Sequence, residues 1–465
     1  MTTRHLALAL PPRRRARWLG VAMAALLLIG GSRLAPALLP PPSGPQHPGG
    51  AAVPPAVVSG QAPATAASGL APPDERVAFW EPRVAANPRD YLSTLHLADA
   101  YLDRARATAD LADLQRAAAA LTQAAAAAPD PGVVVTRQAQ VAFALHEFVR
   151  AASLADEVLA DAPDDLTALA VAGDARLETG DLPGARERYD RLAALAPSAP
   201  VWSRLARLAF LEGNVAGALV LVRRAIGWAE ANGFSDEGAF YRYQLGELHR
   251  LSGDLAAASA AYQAALDALP GYPAAGFGLA MTREGQGRRG EAIALLEAAT
   301  ARLPTPEAVS ALGDLYLLAG DAVAAERAYA LVERIGDVAR ATGAVYDRQL
   351  VLFAADHGRE VDAAIATAEA EISVRPDIYG FDALAWALYR AGRLDEAAAA
   401  ATRALVLGTP DPRLAYHAGM IAAAQGLDDD ARRLLTQALS GSAYLAPLQV
   451  PVAERALAAL PEVGE

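Results

Sequence analysis

Cysteine is absent from the sequence, and so is lysine. Without cysteine the chain can form no disulfide, no thiolate metal site and no cysteine nucleophile, and it cannot carry the acylated cysteine of a lipoprotein anchor. Without lysine all 41 basic residues are arginine, and 53 acidic residues outnumber them to give a formal charge of −12. A surface that tracks phosphates needs clustered positive charge, so nucleic acid is not an expected partner. Aromatic residues are scarce as well, at 6% of a chain that is 53% hydrophobic. The apolar content is therefore mostly alanine and leucine, which suits closely packed helices rather than sheets.

The N-terminus has the layout of an export signal. Arg13, Arg14, Arg15 and Arg17 precede an apolar run over 18–31, and Arg33 follows it. The run is shorter than the roughly 20 residues of a usual spanning helix and within the length of a signal sequence. A cleaved signal and a retained single-pass anchor both fit, and Pro36 inside the small-residue stretch Ala35-Pro36-Ala37 favours retention. Arginines before the run stay in the cytoplasm, so either alternative places the rest of the chain beyond the membrane, anchored or secreted into the periplasm. Residues 1–33 are thus read as the basic signal or anchor segment, and 34–79, rich in proline, alanine and glycine, as a semi-extended linker.

Beyond the linker the chain is periodic. Pro129, Pro163 and Pro197 are spaced by 34 residues, as are Pro270 and Pro304. Twelve residues before each lies an alanine, Ala117, Ala151, Ala185, Ala258 or Ala292, and the alanine recurs without the proline at Ala218, Ala325, Ala397 and Ala431. Five residues before seven of these alanines come Gly180, Gly213, Gly253, Gly287, Gly320, Gly392 and Gly426, as in Thr179-Gly180-Asp181-Leu182 and Ala391-Gly392-Arg393-Leu394. Glycine there fits a tight turn between two helices, and the alanine lets the two helices approach closely.

With Leu245-Gly246, Ala258, Tyr262, Ala265 and Pro270 in one copy, and Leu312-Gly313-Tyr316, Ala325 and Tyr329 in another, the chain resembles the tetratricopeptide repeat family. The resemblance implies an all-α, right-handed superhelical solenoid of about ten helical hairpins over 80–445, with a capping helix and tail in 446–465. The early tryptophan of the family is matched only by Trp202, and the steps from Ala218 to Ala258 and from Ala325 to Ala364 stretch to 40 and 39 residues. Those steps predict extended second helices.

Motifs with chemical meaning fail their conditions. Gly285-x-Gly287-x-x-Gly290 spells a dinucleotide fingerprint, yet a helix precedes it where a strand is required. His146-Glu147-Phe148-Val149-Arg150 has an arginine where a zinc helix needs its second histidine. Asp428-Asp429-Asp430 lacks the spacing of a calcium loop and suits a helix start. His249, His357 and His417 have no fixed spacing to partners, and no G-x-S-x-G elbow occurs. No catalytic residue, cofactor or metal is expected.

Function then belongs to the concave surface that the resemblance implies, lined by the first helix of each hairpin. Inner positions hold Phe240, Tyr243, Phe277, Met281, Tyr346, Phe353, Tyr379, Trp386, Tyr389 and Tyr416. Tyr379, Trp386 and Tyr389 share one helix face, and Arg207, Arg250 and Arg390 could read a carboxylate nearby. The expected role is a non-enzymatic scaffold at the bacterial cell envelope that binds a peptide or partner helix. The alternative is a regulatory or adaptor subunit of an enzyme, secretion or assembly complex.

Overall fold

The computed structural model describes residues 71–108, 110–130, 132–342 and 348–461. The expected membrane segment over 18–31 and most of the expected linker lie outside the described residues, and among those described no helix is long and apolar enough to cross a membrane. The described residues form 22 α-helices and one short 3-10 turn, with no strand. An opening helix, α1 (Pro73–Ala86), begins inside the stretch read as linker.

Ten hairpins follow. They pair α2 (Tyr91–Thr108) with α3 (Leu111–Ala127), α4 (Gly132–Ala144) with α5 (Phe148–Asp161), α6 (Leu166–Glu178) with α7 (Leu182–Leu195), and α8 (Ala199–Leu211) with α9 (Val215–Ala231). Then α10 (Ser235–Leu251) pairs with α11 (Leu255–Ala268), α12 (Pro273–Gly285) with α13 (Arg289–Arg302), and α14 (Pro306–Leu318) with α15 (Ala322–Thr342). The last three join α16 (Arg348–His357) to α17 (Val361–Val374), α18 (Ile378–Arg390) to α19 (Leu394–Ala404), and α20 (Pro412–Ala424) to α21 (Asp428–Ser440). The 3-10 turn Ser442–Tyr444 and α22 (Gln449–Ala459) close the described chain.

One turn design serves nine hairpins. A residue with positive φ stops the first helix, at His146, Gly180, Gly213, Gly253, Gly287, Gly320, Gly358, Gly392 and Gly426. The next residue donates its N–H five residues back, as from Asp181 to Arg176 and from Asp254 to His249. In several hairpins that same residue caps the second helix, with Asp181 accepting from Gly184 N–H, Asn214 from Gly217 and Asp254 from Ala257. The periodic alanines sit where the two helices cross: Ala117, Ala151, Ala185, Ala218, Ala258, Ala292, Ala397 and Ala431 are fully buried. Asp428, Asp429 and Asp430 occupy the first turn of α21, where negative charge meets the free N–H groups.

The long steps are taken up as extra helical turns, with one difference from expectation. α15 has 21 residues against 14 in α11 and α13, as an extended second helix requires. The 40-residue step is shared between α9 and α10, with 17 residues each, so a first helix is lengthened too.

A glycine, an acid and a tyrosine tie first helices to second ones. Tyr189 donates to Asp174 at 2.8 Å, Tyr329 donates to Asp314 at 2.8 Å, and Tyr262 donates to Glu247. Each acid follows a glycine, and a Cβ on Gly173, Gly246 or Gly313 would lie 2.5, 2.6 or 2.5 Å from the ring. The next hairpin joins two of these pairs, Arg204 clamping Asp174 at 2.8 and 2.9 Å and His357 Nε2 lying 2.9 Å from Asp314. Burial draws the His357 pKa down, but the Asp314 carboxylate beside it prevails and holds it above its ordinary value.

His146 takes the place glycine holds in eight other turns, at φ 62°. Its ring stacks on Phe148 at 5.3 Å. Burial, then the Arg375 and Arg348 guanidinium groups, push its pKa down to about 4. The unfolded chain protonates this group near pH 6.5 and the folded chain only near 4, so its contribution to stability falls as pH drops through that window, by at most about 3 kcal/mol. His146→Gly should therefore lose less melting temperature than the wild type between pH 7 and pH 4. Parallel losses in the two proteins would show that this histidine does not drive the pH dependence.

Candidate functional site

The first helices form the inner wall of the array, several of them packing on the first helix of the next hairpin, as α10 does on α12 and α18 on α20. Two features of the fold decide how much of that wall is open.

One is a seam. The turns of the third, fourth and fifth hairpins dock on loops that lie 193 to 198 residues further along the chain. Arg375 donates to Glu178, Thr409 Oγ1 donates to the Leu211 carbonyl at 2.5 Å, and Arg250 Nη1 donates to the Ala443 carbonyl at 3.0 Å. Leu177, Leu182, Leu208 and Leu211 share a core with Ile378 and Leu414 across it. At its centre lies a line of six charges: Arg207 with Glu178 at 2.8 Å, Glu178 with Arg375, Arg375 with Asp377 at 3.1 Å, and Arg348 with both Asp377 at 3.2 Å and Glu371 at 2.5 Å. Three arginines balance three carboxylates, so the cluster is neutral as a whole. Burial lowers the pKa of Arg375 and raises that of Glu371, while for Asp377 burial is outweighed by Arg348 and Arg375, which hold its carboxyl below the usual range.

The other is a plug. After α21 the chain turns inward, and its 3-10 turn Ser442–Tyr444 packs on α10, α12 and α20, all of them first helices. Further on, the Gln449 amide donates to Asp356 Oδ1 at 2.9 Å, the oxygen that also receives Trp386 Nε1 at 2.8 Å. From 441 to 453 no residue is exposed.

These features correct the expected site. Met281, Phe353, Trp386 and Tyr416, placed by spacing on an open groove, are 2–6% exposed core residues. Trp386 is held between Tyr389, stacked at 5.0 Å, and His417, stacked at 4.3 Å, and Tyr416 packs on it at 5.4 Å. Phe353 packs against Tyr329 and His357, and Met281 against the core of the sixth and seventh hairpins. Phe240, Tyr243, Phe277, Tyr379 and Tyr389 are half-buried. Tyr243 leans on Tyr262 and Tyr272, Phe277 lies 5.9 Å from the Arg250 guanidinium, and Tyr379 joins the seam with Arg413 at 5.6 Å. Tyr346 lies outside the described residues. The arginines expected to read a partner carboxylate hold internal acceptors instead: Arg207 holds Glu178, Arg250 holds Glu247, and the exposed Arg390 donates to the Asp356 carbonyl at 3.0 Å.

The seam and the plug were not anticipated. One signal was available: Pro376 stands 12 residues after Ala364 and 34 before Pro410, so two closing prolines persist at the seam loops. The fingerprint glycines are a helix–turn–helix corner, with Gly285 ending α12 and Gly287 in the turn at φ 75°. His417 Nδ1 lies 2.8 Å from Asp382 Oδ1 in the core. Among the described residues no group of three or more His, Asp or Glu side chains is placed to hold a metal.

Models described as tetratricopeptide repeat match residues 136–200, 171–233, 249–315 and 383–446. No curated protein matches. Among solved structures, similarity extends to PilW, a widely conserved type IV pilus biogenesis factor, with 18% identity, 48% of this chain, 98% of that one and a TM-score of 0.39. It extends also to a tetratricopeptide repeat protein from Parabacteroides merdae, with 17% identity, 53% and 93% coverage and a TM-score of 0.40. YrrB, a TPR protein with an unusual peptide-binding site, is similar at 20% identity, 40% and 94% coverage and a TM-score of 0.29. The stretch between the last two matched segments, 316–382, contains the lengthened α15 and the short α16, where the unit departs most from its regular length. Turn glycines, crossing alanines and matched segments fall on the same hairpins, and the chain belongs to the tetratricopeptide repeat family.

Proposed function

We propose that this chain is a non-enzymatic scaffold that holds a protein or peptide segment against the first helices of its array. The observation that carries this reading is the plug. The stretch that follows the last paired helix, 441–449, lies against first helices with every residue at least partly covered, so the wall accommodates a polypeptide that is not part of a helical hairpin. Half-buried aromatics along the same wall, such as Phe240, Phe277 and Tyr389, supply the rigid apolar contact that binding surfaces use. The sequence alone supports a place at the cell envelope, through the arginines and the apolar run before residue 34.

A photo-crosslinking residue placed at Phe277 or Tyr389 in the native host should capture one and the same protein. The same probe at Val149 or Val220, exposed on second helices, should not. Capture of that protein from the second-helix positions alone would reject the inner wall as the binding face.

A further inference from the structure

The C-terminal stretch is bound as a ligand would be, and its contacts specify what could replace it. Ala443 sits so close to Gly285 that a Cβ there would lie 2.7 Å from the Ala443 Cβ. The Ala443 carbonyl accepts from Arg250, whose guanidinium lies 4.2 Å from the Tyr444 ring. Leu445 is 1% exposed in a core shared with Trp386 and Tyr416. Gln449 reaches Asp356. These are the four elements of peptide recognition: a clamped backbone carbonyl, a ring on a cation, a buried aliphatic side chain, and a polar side chain on a fixed carboxylate.

A cap that only covers the last hairpin needs contacts with α20 and α21. This segment reaches further, to α10 and α12 in the fifth and sixth hairpins and to Asp356 in the eighth. No pairing of helices in the repeat requires those contacts. The carboxylate of Asp356 receives two neutral donors, Trp386 and Gln449. A cationic donor in place of the amide would make the stronger, charge-assisted bond.

We infer that residues 441–449 are a displaceable, self-inhibiting occupant of the binding wall, and that the partner is a protein segment carrying an aromatic–aliphatic pair followed four residues later by an amide or a basic side chain. The inference rests on the scaffold reading and names the regulation and ligand chemistry of that same wall. A partner that matches Tyr444 and Leu445 and presents lysine or arginine at the place of Gln449 displaces the plug by competition.

The test uses the full chain and a labelled peptide of its own residues 440–460. Tyr444→Ala with Leu445→Ala, and separately the milder Gln449→Ala, loosen the resident segment. The peptide should bind both variants at least tenfold more tightly than it binds wild type. A peptide with Gln449→Lys should bind more tightly still, and Asp356→Asn in the receptor should remove that advantage. Equal binding to wild type and to a helical Gln449→Ala chain overturns the inference, even if the double variant fails to fold. So does hydrogen exchange of 441–449 in wild type that is as slow as in α18 and α20, since a displaceable segment opens before the core does. If the peptide fails while the inner-wall crosslinks persist, the plug idea falls and the scaffold stands. Loss of those crosslinks rejects the scaffold itself.

Discussion

Arg375→Met lowers the unfolding free energy by about 3–5 kcal/mol, the loss that follows when one member of a buried ion cluster is removed and its partners keep their charge. Arg375 touches Glu178 on the far side of the seam and Asp377 beside it, and the Glu178 side chain is 1% exposed. After the substitution two arginines face three carboxylates in a space that water reaches poorly. The double variant Glu178→Leu, Arg375→Met restores charge balance and recovers most of the loss, because a buried pair replaced by apolar groups of similar volume is often close to neutral. Urea titration of the two single variants and the double variant checks this. A loss below about 1 kcal/mol in the single variant, or a double variant no better than the single, would mean that the cluster is solvated and carries little. The shape of the curve is a second readout. An open solenoid unfolds by neighbour contacts, whereas the seam joins hairpins 197 residues apart, so breaking it should broaden or split the transition.

The hairpins were legible because their determinants are local. A glycine that must adopt positive φ, an alanine where two helices cross and a proline that ends the second helix each act within one unit, so their spacing repeats in the sequence. The same logic explains what stayed hidden. Closure of the superhelix is the sum of small rotations over about six hairpins, and no single residue encodes it. The ring positions failed for a related reason. Trp386 and Tyr389 lie on one stripe of α18, but Trp386 faces His417 of the next first helix and is 2% exposed, while Tyr389 is half-buried. Spacing along a helix fixes the stripe, and the neighbouring hairpin decides which part of the stripe is covered. His146 was visible as an imperfect metal motif, though its distance of 34 from Gly180 places it in the turn series.

Gly253→Ala should be far more damaging than Gly392→Ala, although the two glycines have nearly the same backbone, φ 76° and 77°. A Cβ in the left-handed region costs about 1–2 kcal/mol wherever it occurs. At Gly392 that is the whole effect, because no heavy atom lies within 4 Å of the added carbon. At Gly253 the Cβ would fall inside contact distance of the Ser440 carbonyl oxygen, a backbone atom that cannot rotate away. The seam must open there or Ser440 must move, and with it the entry to the plug, so a total loss of about 3 kcal/mol or more is expected. Gly213 and Gly180 grade the series, with the Gly408 and Pro376 carbonyl oxygens at 3.4 and 3.1 Å from the added carbon. Thermal melts should rank the alanine variants Gly392, Gly213, Gly180, Gly253 in rising order of loss. Exchange protection of 440–449 should fall only in the last. In an open array all four substitutions would cost the same, so an equal loss across the series would contradict the closed superhelix, and a graded one measures how tightly its two turns are pressed together.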